Sequence, residues 1–112
     1  MATDQSFVDY VVEQAELGDA LSYRKMFGEY ALYHDGKVVA LACDNRLFIK
    51  PSSASTTLAP ELPQSPPYPG IRPFPVADEL LDEPDELRRL LLATSAALPL
   101  PKPKKPRRPR GG

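Results

Sequence analysis

His34 and Cys43 are the only histidine and the only cysteine in the chain, and they are its best candidates for base or nucleophile chemistry. A general base acts on a group within hydrogen-bond reach, and a reactive thiol needs a basic neighbour that lowers its pKa. His34 stands just before Asp35-Gly36, with no serine, aspartate or cysteine at a motif spacing from it, so it reads as a solvated turn residue. Cys43 reads as a small buried hydrophobe. Arg46, across Asp44-Asn45, is the one cation placed to activate it. A metal site needs three or four ligands, and neither residue has companions at ligand spacing. Gly18, Gly28, Gly36 and Gly70 are isolated and form no phosphate loop. The carboxylates fall on helix surfaces and turns. The expectation is a protein that is not an enzyme, with no catalytic residue, no metal and no cofactor.

The other chemically pointed feature is charge. Up to Pro101 the chain has eight basic against fifteen acidic residues, a net charge of −7, and the last eleven residues carry +6. Lys102, Lys104, Lys105, Arg107, Arg108 and Arg110 are therefore the candidate nucleic-acid contacts. Six cations on about six phosphates would give a log–log salt slope of roughly −5. No aromatic lies among them, so base stacking is not indicated. The same segment can also solubilise the chain or fold back on its acidic body.

Proline marks where regular structure can form. Of the fourteen prolines, eight lie between Pro51 and Pro75 and five between Pro99 and Pro109. Residues 1–98 read as one domain containing a proline-rich irregular segment, 51–75, and residues 99–112 as a disordered basic tail. "TDQSFVDYVVEQAELGD" predicts a helix, with Thr3 as N-cap, Phe7, Val8, Val11, Val12 and Ala15 as its apolar stripe, and Gly18 as its stop. Its outer row, Asp9, Glu13 and Glu16, reads as a solvated face or a docking surface for a basic partner. "PDELRRLLLATSAAL" predicts a second helix with Pro84 in its first turn, Asp85 paired to Arg88 and Arg89, and Leu87, Leu90, Leu91 and Leu98 buried. "IRPFPVA" fits an edge strand, where proline is tolerated. "SSASTTL" fits one helical turn.

Between the helices, "MFGEYALYHDGKVVALACDNRLFIK" predicts a three-stranded meander preceded by a short strand in "ALSYRKM". Asp35-Gly36 and Asp44-Asn45 fit two-residue hairpin turns. Simple registers then place Leu32 opposite Val39, Tyr30 opposite Leu41 and Leu41 opposite Phe48 on a bulky side that also holds Cys43. Tyr33–Val38, Ala31–Ala40, Ala40–Ile49 and Ala42–Leu47 form a flatter, alanine-rich side. Two apolar sides predict a sheet covered on both faces.

Arg24, Met26, Phe27, Gly28, Tyr30, Leu32, Tyr33, Asp35, Gly36, Leu47, Phe48 and Lys50, followed by "PDEL" at residues 84–87, make an ordered set. Over most of residues 5–98 the chain resembles the TfoX (Sxy) N-terminal domain family. The resemblance implies an α+β domain, an antiparallel meander flanked by N- and C-terminal helices, similar to secretion-chaperone-like folds that often dimerise. It implies regulation of competence genes with the cAMP receptor protein at promoters, and it assigns the motif residues to the scaffold. A basic tail stands where full-length regulators have a second helical domain, and segment 51–75 largely replaces a helix. Glu29 and Ala31 stand where many relatives have glycine.

The functional expectation is a non-enzymatic regulatory or adaptor domain linked to transcriptional control of competence. Its expected partners are a second copy, a protein of transcription regulation, and DNA or RNA bound non-specifically through the tail. The alternative is a small protein-binding or chaperone-like module with no nucleic-acid role. No secretion signal or membrane span is evident, and a single cysteine permits no internal disulfide, so the expected compartment is the cytoplasm.

Overall fold

The structure, a computed structural model, describes residues 3–99. Helix α1 (Gln5–Ala15) is followed by a four-stranded antiparallel meander: β1 (Leu21–Met26), β2 (Glu29–His34), β3 (Lys37–Cys43) and β4 (Arg46–Ile49), in that spatial order. Then come α2 (Ser53–Leu58), a two-residue ribbon of β5 (Gln64–Ser65) and β6 (Phe74–Pro75), and α3 (Pro84–Ala97). The class is α+β, as expected.

Three two-residue turns build the meander: Phe27-Gly28, Asp35-Gly36 and Asp44-Asn45. All six residues have positive φ, between 51° and 85°. Such turns match the twist of the strands they join. The two turns expected from the sequence are present. The third makes "LSYRKM" a full partner of β2, so the sheet has four strands rather than three and a short neighbour.

The β3–β4 register is as derived, with Ala40 opposite Ile49, Leu41 opposite Phe48 and Ala42 opposite Leu47. Tyr33 also faces Val38, but a β-bulge follows, and beyond it Leu32 faces Ala40, Ala31 faces Leu41 and Tyr30 faces Ala42. The derived pairs Leu32–Val39, Tyr30–Leu41 and Ala31–Ala40 are therefore corrected by one residue. A bulge inserts one unpaired residue, here Val39, and reverses which residues share a side. Val39 and Ala40 are consequently both buried.

The bulge also redraws the two faces. Leu21, Tyr30, Leu32, Val39, Ala40, Ala42, Leu47 and Ile49 pack with Val8, Val11 and Ala15 of α1 and Leu87, Leu90 and Leu91 of α3. Cys43 and Phe48 lie on the other face, with Leu41, under Ile71, Phe74 and Val76. The expected split into bulky and alanine-rich sides is thus overturned, since each face mixes large and small residues. Cover on both faces is present, but on the second it reaches only the β4 side. There Val76 bridges to Phe48, and the Ala77 N–H donates to the Leu47 carbonyl at 2.8 Å, which seats "FPVA" along the sheet edge.

Two helix ends differ from expectation. Asp4, not Thr3, is the N-cap of α1, and its side chain makes no capping bond. Thr3 is drawn instead into tertiary hydrogen bonds. Glu16, in the left-handed region at φ 55°, closes α1 before Gly18, which opens a short 3-10 turn, Gly18–Ala20. Pro84 does begin α3, and Asp85 pairs with Arg88 at 2.6 Å. Arg88 turns its other nitrogen to Glu16 at 3.2 Å, and the Glu16 side chain stays exposed as expected. The buried stripe of α3 includes Thr94 and Ser95, with Leu98 half-buried.

Candidate docking site

The uncovered part of the second face carries the most exposed apolar surface. Phe27 is 102% exposed at φ 51°, and Met26 and Tyr68 are about half exposed beside it. With Ala31, Leu41 and Cys43 they line a recess of about 500 Å³. The β1–β2 turn supplies the outer lip, β2 and β3 the floor, and the "YPG" turn the opposite wall. The volume lies within the range of ligand and side-chain pockets.

The lip is held rigidly by the start of the chain. Thr3 N–H donates to the Gly28 carbonyl at 2.9 Å, and Asn45 N–H donates to the Thr3 hydroxyl oxygen at 3.2 Å. The Thr3 hydroxyl donates to Glu29, which also accepts from the Asp44 N–H at 3.1 Å. Asp4 N–H reaches the Asn45 side chain at 2.9 Å. Residues 3 and 4 thereby tie two adjacent hairpin turns together, a role invisible in the sequence because the partners lie 25 to 42 positions away.

Cys43 sits at the floor and is buried. Its thiol is pushed up to about 11, first by desolvation and then by the Glu29 and Asp44 carboxylates. Arg46 does stand opposite Cys43 across the turn, yet its guanidinium is committed to Asp78 at 3.4 Å and lies over the Phe48 ring at 5.6 Å. The thiol therefore stays protonated near neutral pH and serves as apolar wall.

His34 is not a solvated turn residue. Its Nδ1 lies 2.8 Å from the Ser95 hydroxyl of α3, and Lys37 Nζ donates to the Ser95 carbonyl at 2.6 Å and the Leu98 carbonyl at 3.4 Å. Lys37 thus satisfies carbonyls left open at the end of α3 and complements its dipole. Ser95 is 3% exposed. The serine–histidine contact ties the first hairpin to the helix, while the half-buried His34 also borders an open hollow of about 580 Å³ with Ser22, Arg24, Tyr33 and Asp35. Direct pairing of His34 with Lys37 was implicit in the two-residue turn, while the helix partner was not.

Among the motif residues, Tyr30 and Leu32 are core, and Gly28, Asp35 and Gly36 form turns. Arg24 and Tyr33 lie on the open face, and Lys50 closes β4 with its N–H on the Val39 carbonyl at 2.9 Å. Lys102, Lys104, Lys105, Arg107, Arg108 and Arg110 lie outside the described residues, as does the tail's expected disorder. Among the described residues no three His, Cys, Asp or Glu side chains gather to hold a metal, and no helix is long and apolar enough to cross a membrane.

The domain is a small antiparallel meander with helices on one face and an exposed aromatic lip on the other. The chain belongs to the TfoX N-terminal domain family, whose profile matches residues 13–98. It is 47% identical over 107 residues to the "Uncharacterized 12.7 kDa protein in trpE 5'region" of Spirochaeta aurantia, covering 94% of this chain and 91% of the relative. No solved structure gives a significant match.

Proposed function

We propose that the chain is a non-enzymatic regulatory or adaptor domain that works by docking, in the setting of transcriptional control of competence genes that the family resemblance implies. The observation that carries this reading is the recess under Met26, Phe27 and Tyr68, because contiguous exposed apolar surface marks interaction sites. Lys102 to Arg110 supply the nucleic-acid contact in this reading. Removing residues 99–112 and titrating duplex DNA at several salt concentrations tests that contact. The intact chain is expected to bind with a log–log salt slope of roughly −5, and the shortened chain to lose most of its affinity. Equal affinity of the two chains would remove nucleic acid from the function.

The second reading is a protein-binding module with no nucleic-acid role. Six carboxylates between Asp78 and Glu86 favour it, since an acidic surface repels phosphate. Under this reading a protein partner is recovered equally with and without residues 99–112 and is lost with Phe27→Asn.

A further inference from the structure

Residues 102–110 read "KPKKPRRPR", with prolines at 103, 106 and 109. A polyproline II helix has three residues per turn, so a proline at every third position lines one edge of it. The same period puts Lys104, Arg107 and Arg110 on a second edge and Lys102, Lys105 and Arg108 on the third. In that conformation the segment has one apolar edge and two cationic ones. Proline-rich segments of this kind dock in aromatic-lined grooves, because the helix is formed in advance and loses little entropy on binding.

The open face of the sheet holds such a groove. Ser22 faces Tyr33 and Arg24 faces Ala31, so the hollow beside His34 and the recess under Phe27 adjoin along β1 and β2. Tyr33 lines the first, and Tyr68 and Phe27 line the second. Phe27 leaves its ring in solvent at a φ that side chains of its size rarely adopt, and such strain points to function. Asp19 and Asp35 border the channel at its β2–β3 end and Glu29 at its Phe27 end, against Arg24 alone among the lining cations. The exposed Asp44 and the exposed Arg72, next to Ile71, stand on the flank and offset one another. Three lining carboxylates to one guanidinium suit a cationic occupant.

The chain leaves the domain at the mouth of this channel. Lys37 Nζ donates to the Leu98 carbonyl at 3.4 Å, which fixes the end of α3 at the β2–β3 turn, with Pro99 beside Gly36, Val38 and Lys50. From there β3 runs to Cys43, roughly 20 Å away. The chain from Pro99 to Pro109 extends roughly 31 Å as polyproline II, which leaves about 10 Å to round the end of the sheet.

We infer that in the free chain residues 102–110 lie in this channel, the proline edge on Tyr33 and on the recess under Phe27. The inference rests on the docking reading above and names the occupant of the recess before a partner arrives. A nucleic acid that takes the cations opens the recess, and a partner in the recess frees the cations, by the reciprocity of linked sites.

Nitrogen-15 relaxation of the full chain tests it. At low salt the amides of Lys104, Lys105, Arg107 and Arg108 are expected to show order parameters near those of a rigid backbone, about 0.85. Phe27→Asn suits the turn's backbone, so it should leave the sheet intact and drop those amides below about 0.6. Changing Pro103, Pro106 and Pro109 together to alanine keeps every charge and should free the segment equally. Arg24→Ala removes the lining cation and should move release of the segment to higher NaCl. Wild-type amides already below about 0.6, order that survives Phe27→Asn or the proline changes, or earlier release in Arg24→Ala would overturn the inference. If the wild-type segment is unordered yet a protein partner is lost with Phe27→Asn, the inference falls and the docking reading stands. If a partner also binds regardless of Phe27, the docking reading falls with it.

Discussion

The His34 ring nitrogen Nδ1 lies 2.8 Å from the Ser95 hydroxyl, joining the first hairpin to the last turns of α3 across 61 positions of chain. Both groups are at least half-buried, so the bond is shielded from competing water. Removing either partner is expected to cost about 1 kcal/mol. Urea unfolding of His34→Ala, Ser95→Ala and the double variant would show it as non-additivity, with the double variant less damaged than the sum. Strict additivity would mean that the two residues do not stabilise one another.

Thr94 presents the opposite case. Its side chain is wholly buried and its Oγ1 has no hydrogen-bond partner among the described residues. An unpaired buried hydroxyl costs about 1–3 kcal/mol, and valine has nearly the same shape. Thr94→Val should raise the urea midpoint with an unchanged slope. A lower midpoint would reveal a partner for the hydroxyl.

Asp78 uses its two carboxylate oxygens unequally. Oδ1 accepts the N–H of the buried Leu47 at 2.7 Å, and Oδ2 meets the half-exposed Arg46 at 3.4 Å. Asp78→Ala strands a backbone donor and should cost about 1–3 kcal/mol. Arg46→Ala loses only a solvent-screened ion pair, typically below about 1 kcal/mol. Chemical denaturation of the two variants should rank them in that order, and the reverse ranking would contradict the assignment.

Cys43 makes stability depend on pH in a defined direction. Its folded pKa is raised from the thiol's ordinary 9.0 to about 11, so between these values the folded state holds a proton that the unfolded state has released. Its contribution is therefore complete below about pH 9 and falls as pH rises towards 11. Comparing wild type with Cys43→Ala at pH 8 and pH 10.5 should show the smaller loss in the variant. The native thiol should also react slowly with iodoacetamide at pH 8, and rapid labelling would contradict its enclosure.

Much of the scaffold was legible because its signals are local. Asp35-Gly36 and Asp44-Asn45 announce their turns through the backbone angles those residues tolerate. Pro84 and the leucines after it announce α3 through ring geometry and helical spacing. Phe27-Gly28 sends no such local signal, because phenylalanine is a poor turn former at positive φ.

By itself the sequence determined the α+β class, the positions of both long helices, two of the three hairpin turns and the exclusion of regular helix from most of residues 51–75. All of these depend on neighbours a few positions apart. The tertiary structure decided the bulge at Val39, the faces that follow from it, the tie of His34 to Ser95, and the service of Thr3 as a latch rather than a cap. A bulge is chosen by which side chains the helices can bury, and hydrogen-bond partners by which distant groups the closed sheet brings within reach. Neither choice leaves a periodic mark on the chain.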